Sequence, residues 1–164
     1  MIDESDKSLF RSTVDSQKPI DKDALKNKSS VKIKASHPFE KYSFLYEPNI
    51  SGSEAVIHSK SGLSPKILKK MKQGLIGSTP SIDLHGHNIE EACQSLSKFI
   101  HFHSSERFLH IIHGKGFHSD NGLSIIKSQV VHYLKQHPDV IAFCSCPQGM
   151  GGTGAVFVHL RSYV

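Results

Sequence analysis

The feature that most limits what this chain can fold into is an alternation of hydrophobic period after residue 78. It switches between the two-residue repeat of strands and the roughly 3.6-residue repeat of helices. Ser81-Ile-Asp-Leu-His is a short strand that stops at Gly86. Ile89, Ala92, Cys93, Leu96, Phe99 and Ile100 then recur at three- and four-residue spacing, the stripe of an amphipathic helix. Asn88 is a good N-cap, and Glu91 three residues on completes a capping-box pattern. Arg107-Phe-Leu-His-Ile-Ile-His is a second strand of β-formers, ending at Gly114. Leu123, Ile126, Val130 and Leu134 set out a second helix, ended by Pro138. Residues 140–144 and 155–160 are two more strands with a glycine-rich connection. The order β-α-β-α-β-β implies right-handed crossovers and a sheet that is parallel apart from its last strand. The expected fold is therefore α/β: a two-layer sandwich of a four-stranded mixed sheet, its last strand antiparallel, with both helices on one face.

Residues 1–76 are different material, expected to be a largely extended basic leader with short helices. The chain has 164 residues, of which 37% are hydrophobic, below the usual globular share. Its first 80 residues hold 14 Lys and Arg against 9 Asp and Glu, and the remainder holds 6 of each. The whole formal excess of +5 thus lies in the first half, whereas ten of the 12 histidines lie in the second. A basic leader suits a polyanionic partner, and a neutral, His-rich domain suits local chemistry. Leu9, Phe10 and Val14 could share one stripe of a short helix over residues 3–16, and the Lys-rich stretch from Pro19 to Lys34 reads as disordered linker. Phe39, Tyr42, Phe44, Leu45 and Tyr46 form an aromatic patch that lies on the domain or a partner, base stacking being the weaker reading. Pro65 opens a basic helix that closes near Gly74. The chain has an odd number of cysteines, Cys93, Cys144 and Cys146, no secretory pattern at its start and no long apolar run. These features predict reduced thiols, a cytoplasmic location and no membrane span.

The polar residues converge on one edge of the expected sheet. Asp83 and His85 are two apart on a strand, so both side chains leave one face at its carboxyl end. His113-Gly-Lys-Gly lies at the carboxyl end of the next strand, and Gly149-Met-Gly-Gly-Thr-Gly at the start of the last. Carboxyl ends of parallel strands are where open α/β sheets collect ligands. Gly114, Gly116, Gly151, Gly152 and Gly154, with Thr153 and the point charge of Lys115, could bring backbone N–H groups up to a phosphate. The glycines of residues 151–154 could equally serve only to shape a hairpin. An acid, imidazoles and an anion cradle together describe a phosphodiester site. A zinc site from Asp83, His85, His87 and His113 is the less favoured reading, because no Cys joins them.

Asp83-Leu-His-Gly, Ile112-His-Gly-Lys-Gly and Gly151-Gly-Thr-Gly-Ala resemble the three signature motifs of the Smr (small MutS-related) family, in the family's order. The resemblance covers about half the chain and places an Smr domain at residues 77–164. It implies a fold similar to the C-terminal domain of the third bacterial initiation factor, with nicking or endonucleolytic activity on DNA or RNA. The first motif's functional pair carries over onto Asp83 and His85, and the second motif's residues onto His113, Gly114 and Gly116. Asp6-Lys-Ser-Leu-Phe-Arg looks like the leader of stand-alone bacterial members, some of which act on messenger RNA at stalled ribosomes. His87 departs from the aliphatic residue that commonly follows Asp-Leu-His-Gly.

On this reading His85 is the general base toward water or a ribose 2′-hydroxyl, Asp83 orients it or holds a metal, and His113 is the acid. Lys115 and the Gly114 and Gly116 amides stabilise charge on the phosphate. No cofactor is required by the sequence. There is room for a divalent metal, although one Asp is a thin ligand set for Mg²⁺. The expected partners are nucleic acid and, through the leader, the ribosome. The competing reading is a module that grips structured DNA or RNA without cutting it.

Overall fold

The computed structural model describes residues 38–45, 47–60, 62–116 and 122–161. The helix expected over residues 3–16, the linker after Pro19 and Tyr46 lie outside the described residues. The elements run β1 (Ile57–Ser59), α1 (Pro65–Lys72), β2 (Ser81–Asp83), α2 (Ile89–Phe102), β3 (Phe108–Ile112), α3 (Ile125–Gln136), β4 (Val140–Ser145) and β5 (Ala155–Leu160). Two 3-10 turns, Gln148–Met150 and Gly152–Gly154, join the last two strands.

The expected mixed sheet is present, with one strand more than the sequence suggested. Its order is β1-β4-β5-β3-β2. β2 and β3 pair in parallel, while β5 runs antiparallel to both β3 and β4. The last strand therefore sits at the centre, and all six of its residues are buried. The added strand, β1, pairs antiparallel with β4 at one edge. Only three residues long, and exposed at Ile57 and Ser59, it carries no alternation by which to be recognised.

Alternation along the strands sorts their side chains onto two faces. Leu109, Ile111, Val156, Val158, Leu160 and Phe143 join Leu96, Ile100, Val130 and Leu134 of α2 and α3 in the main core. The opposite face holds Cys144, Ala155 and Phe157, and α1 seats Met71 there, fully buried. Burying that one side chain contributes roughly 1.5–3 kcal/mol. The two main helices do share one face, and α1 adds a partial third layer on the other. The capping box is formed as expected: Asn88 Oδ1 accepts from the Glu91 N–H at 2.8 Å, and Glu91 Oε2 accepts from the Asn88 N–H at 3.1 Å.

The compact unit begins at Ser36, so it takes in residues that the sequence reading gave to the leader. Phe39 packs edge-on to Tyr133 with ring centroids 5.9 Å apart. Its carbonyl accepts hydrogen bonds from Ser97 Oγ and Tyr133 Oη, each at 2.9 Å. Of the aromatic patch, Phe39 and Tyr42 pack on the main core, whereas Phe44 is exposed. Sequence periodicity missed this segment because it is extended and touches the core through isolated side chains rather than a stripe. Among the described residues no helix is long and apolar enough to cross a membrane.

Candidate active site

The sheet register assembles the site. Asp83 pairs with Ile112, and Ile112 with Ala155, so the end of β2, the end of β3 and the start of β5 meet in one row. Strand β2 stops at Asp83, and the chain turns through Gly86, whose φ is +79°. His85 thus belongs to the turn, not to the strand as expected. The turn itself brings the pair together: Asp83 Oδ1 accepts the His85 backbone N–H at 3.0 Å and lies 2.7 Å from His85 Nδ1. In the neutral imidazole this contact places the hydrogen on Nδ1 and leaves the Nε2 lone pair as the basic site. Desolvation pushes the Asp83 carboxyl upward. The two hydrogen bonds from His85 and the nearby His85 and His87 rings outweigh it and hold the pKa below the usual carboxylate value.

His113 is a different kind of histidine. It is 3% exposed, and burial pushes its pKa down to about 4, so it is neutral at pH 7. Its Nδ1 lies 2.8 Å from the Gly114 carbonyl oxygen, which can only accept, so Nδ1 carries the hydrogen. Nε2 is then an acceptor, buried and without a hydrogen-bond partner among the described residues. An imidazole in that state has no proton to give a leaving oxygen, which counts against the acid role that the sequence suggested.

The glycine loops also divide differently from expectation. The backbone N–H groups of His113 and Gly114 both donate to the Gly154 carbonyl, each at 3.0 Å. Gly152 N–H donates to Pro147 O and Gly154 N–H to Gly151 O. The amides of Gly114, Gly152 and Gly154 are therefore engaged within the protein. Residues 151–154 act as a brace under the second loop. A Cβ on Gly154 would lie 3.1 Å from Lys115 Cγ and 3.4 Å from the Gly114 carbonyl carbon. At Gly116, with φ of +67°, a Cβ would meet Ser124 Oγ at 2.7 Å.

Between these loops and the start of α3 lies a cleft of about 530 Å³, lined by His85, His87, His113, Lys115 and Gly116 on one side and by Ile125 and Ile126 on the other. Among the described residues no three His, Cys, Asp or Glu side chains gather as a metal-binding group.

The chain has known relatives. Residues 82–161 match the Smr domain. Those residues form an Smr domain. Ribosome rescue factor SmrB of Tolumonas auensis is 28% identical to it over 99% of this chain and 97% of its own length. The SmrB of Buchnera aphidicola is 33% identical over 73% of this chain and 62% of that protein. Among solved structures, YdaL, a stand-alone small MutS-related protein from Escherichia coli, superposes with a TM-score of 0.64 at 28% identity. It covers 74% of this chain and 95% of its own.

One residue of this Smr domain's site escaped the sequence reading. Lys127 is fully buried, and its ammonium donates to the carbonyls of Ser51 at 2.9 Å, Gly52 at 3.2 Å and Glu54. It ties residues 51–54 against the Lys115 loop, where a Cβ on Gly52 would fall 2.0 Å from Lys115 O. The signal was present: Lys127 lies three, four and seven residues before Val130, Val131 and Leu134, on their apolar stripe. A charge at such a position needs a built partner set.

Proposed function

We propose that this Smr protein is an endonuclease that cuts a nucleic-acid strand lying across the His85 cleft, and that it works at the ribosome. The observation that carries the reading is the Asp83–His85 pair at the mouth of that cleft. An oriented imidazole with its Nε2 open is what proton abstraction from water or a 2′-hydroxyl requires. Asp83 holds the tautomer and favours the imidazolium once the proton has moved. Lys115 offsets charge on the scissile phosphate. His113 is assigned a positioning role, fixing the loop that carries Lys115, and solvent in the open cleft protonates the leaving oxygen. The curated relatives named as ribosome rescue factors support a ribosomal, hence cytoplasmic, setting. The basic leader is the proposed contact with that particle.

Purified full-length chain with labelled single-stranded RNA and branched DNA, with and without chelator, tests the reading. Asp83→Asn and His85→Ala should each lower cleavage by roughly 10²-fold or more while substrate binding changes little. Lys115→Ala should weaken both, because it removes a phosphate contact. Variants at Asp83 and His85 that cut at the unsubstituted rate would hand the site to the non-catalytic binding reading. Loss of activity with chelator alone would assign a divalent metal to the reaction.

A further inference from the structure

The loop that carries Lys115 has a cavity on each side. The second, of about 510 Å³, is lined by Ser51, Ser53, Gln148 and Thr153, with Lys115 and Gly116 shared with the first. The two differ in chemistry. The His85 cleft offers imidazoles and the aliphatic side chains of Ile125 and Ile126, suited to a flat apolar group such as a base. Among the described residues the second is lined by hydroxyls, an amide, glycines and one lysine. Its size lies within the range of about 300–1,000 Å³ that takes a small ligand moiety.

The walls of this second cavity are built in place. On one side the three Lys127 bonds hold the Ser51–Glu54 turn, and the Gly52 N–H donates to Gly122 O at 3.2 Å. Within that turn Ser51 Oγ and Ser53 Oγ lie 3.1 Å apart. On the other side the 3-10 turn bonds position residues 148–154, and Gln148 closes over Gly152, where a Cβ would meet Gln148 Oε1 at 2.9 Å. Hydroxyls and a carboxamide both donate and accept, as a 2′-hydroxyl does.

We propose that the second cavity is a ribose–phosphate subsite, which reads the 2′-hydroxyl of the nucleotide adjoining the one in the His85 cleft and so selects RNA over DNA. The inference rests on the nucleic-acid reading above and deepens it. The shared Lys115 and Gly116 make one strand crossing the loop the occupant of both cavities. The 2′-hydroxyl is the group by which a protein tells the two nucleic acids apart at a given position.

The test is binding, independent of cleavage. Full-length protein is titrated with a labelled single-stranded oligonucleotide as RNA and as DNA of the same sequence. RNA should bind about three- to tenfold more tightly, the scale of one or two net hydrogen bonds. Combining Ser53→Ala, Gln148→Ala and Thr153→Ala should weaken RNA binding by that factor and leave DNA binding unchanged. With the unsubstituted protein, replacing one ribose at a time by deoxyribose should place the loss at one or two adjacent positions, a result that does not depend on how the variants fold. Equal affinity for RNA and DNA would overturn the subsite, as would an RNA preference that survives the triple substitution or a loss shared equally by both nucleic acids. Failure to bind either nucleic acid would instead overturn the nucleic-acid reading, and the subsite with it.

Discussion

Gly52 and Gly154 show how little room separates the segments around Lys115. Gly52 needs no unusual backbone angle; it needs space, because a Cβ there would overlap the Lys115 carbonyl oxygen at 2.0 Å. Gly52→Ala should therefore displace backbone and destabilise the fold by roughly 1–3 kcal/mol, the cost of overpacking, read from the denaturant midpoint. It should also weaken RNA binding, since the same peptide group borders both cavities. The cysteines make a second prediction at this scale. Burial raises the thiols of Cys93 and Cys144 to about 11, and burial followed by the neighbouring Cys144 takes Cys146 to about 12. With almost no thiolate at neutral pH and little solvent access, Cys146 being 7% exposed and the others 1%, all three should resist a thiol reagent in the native protein and react promptly in denaturant. Rapid labelling of the native chain would show that the sheet opens locally at β4 or α2.

Helix α3 does more than cover the sheet. Through Lys127 it fixes the Ser51–Glu54 turn, which has little core of its own. Lys127→Met keeps the length of the stem but removes the donors of three hydrogen bonds to buried or part-buried carbonyls, at a cost of several kcal/mol if none is replaced by water. The expected result is faster hydrogen exchange at the Gly52 and Glu54 amides, which bond to Gly122 O and Ser51 O, with β5 amides still protected. Uniformly faster exchange would mean that Lys127 supports the whole domain rather than the turn. Elements differ as well in how plainly the sequence announced them. α2 was readable to its first residue, because a capping box and an apolar stripe are local patterns. β1 was not, because Ile57-His-Ser exposes its outer residues and becomes a strand only by finding the edge of β4.

The whole molecule is stabilised by segments on both sides of residue 77. A fragment beginning at Ser36 should melt cooperatively. One beginning at Gly77 loses β1, the Phe39 contacts and the fully buried Met71, and should be less stable by several kcal/mol, burial of single large side chains contributing about 1.5–3 kcal/mol each. Equal midpoints for the two fragments would return residues 36–76 to the status of a tail. Acid should act on the molecule through two buried histidines. His113 and His137 are each 3% exposed and, chiefly through burial, titrate at about 4 when folded, against 6.5 for a free imidazole. Below 6.5 the unfolded chain takes up protons that the folded chain refuses, so unfolding is favoured. Stability should be complete above about pH 6.5 and fall progressively toward pH 4, a trend followed by the melting temperature. His137→Asn should flatten part of that slope, whereas an unchanged slope would assign acid sensitivity to other groups.

What the sequence by itself determined is whatever depends on near neighbours along the chain: three helices, one of them with its capping box, four strands, and the motifs that end those strands. Asp83 and His85 belong there too, because a pair two residues apart meets through a local turn. The tertiary structure alone decided matters of long-range pairing. It set β5 at the centre of the sheet, β1 on its edge, and Phe39 and Tyr42 on the core. It also decided which glycine amides are spent on bracing and that His113 is buried and neutral. Solvent exposure and hydrogen-bond partners are set by residues tens of positions away, and no local period records them. The pairing of Lys127 in α3 with carbonyls more than seventy residues earlier is the plainest case.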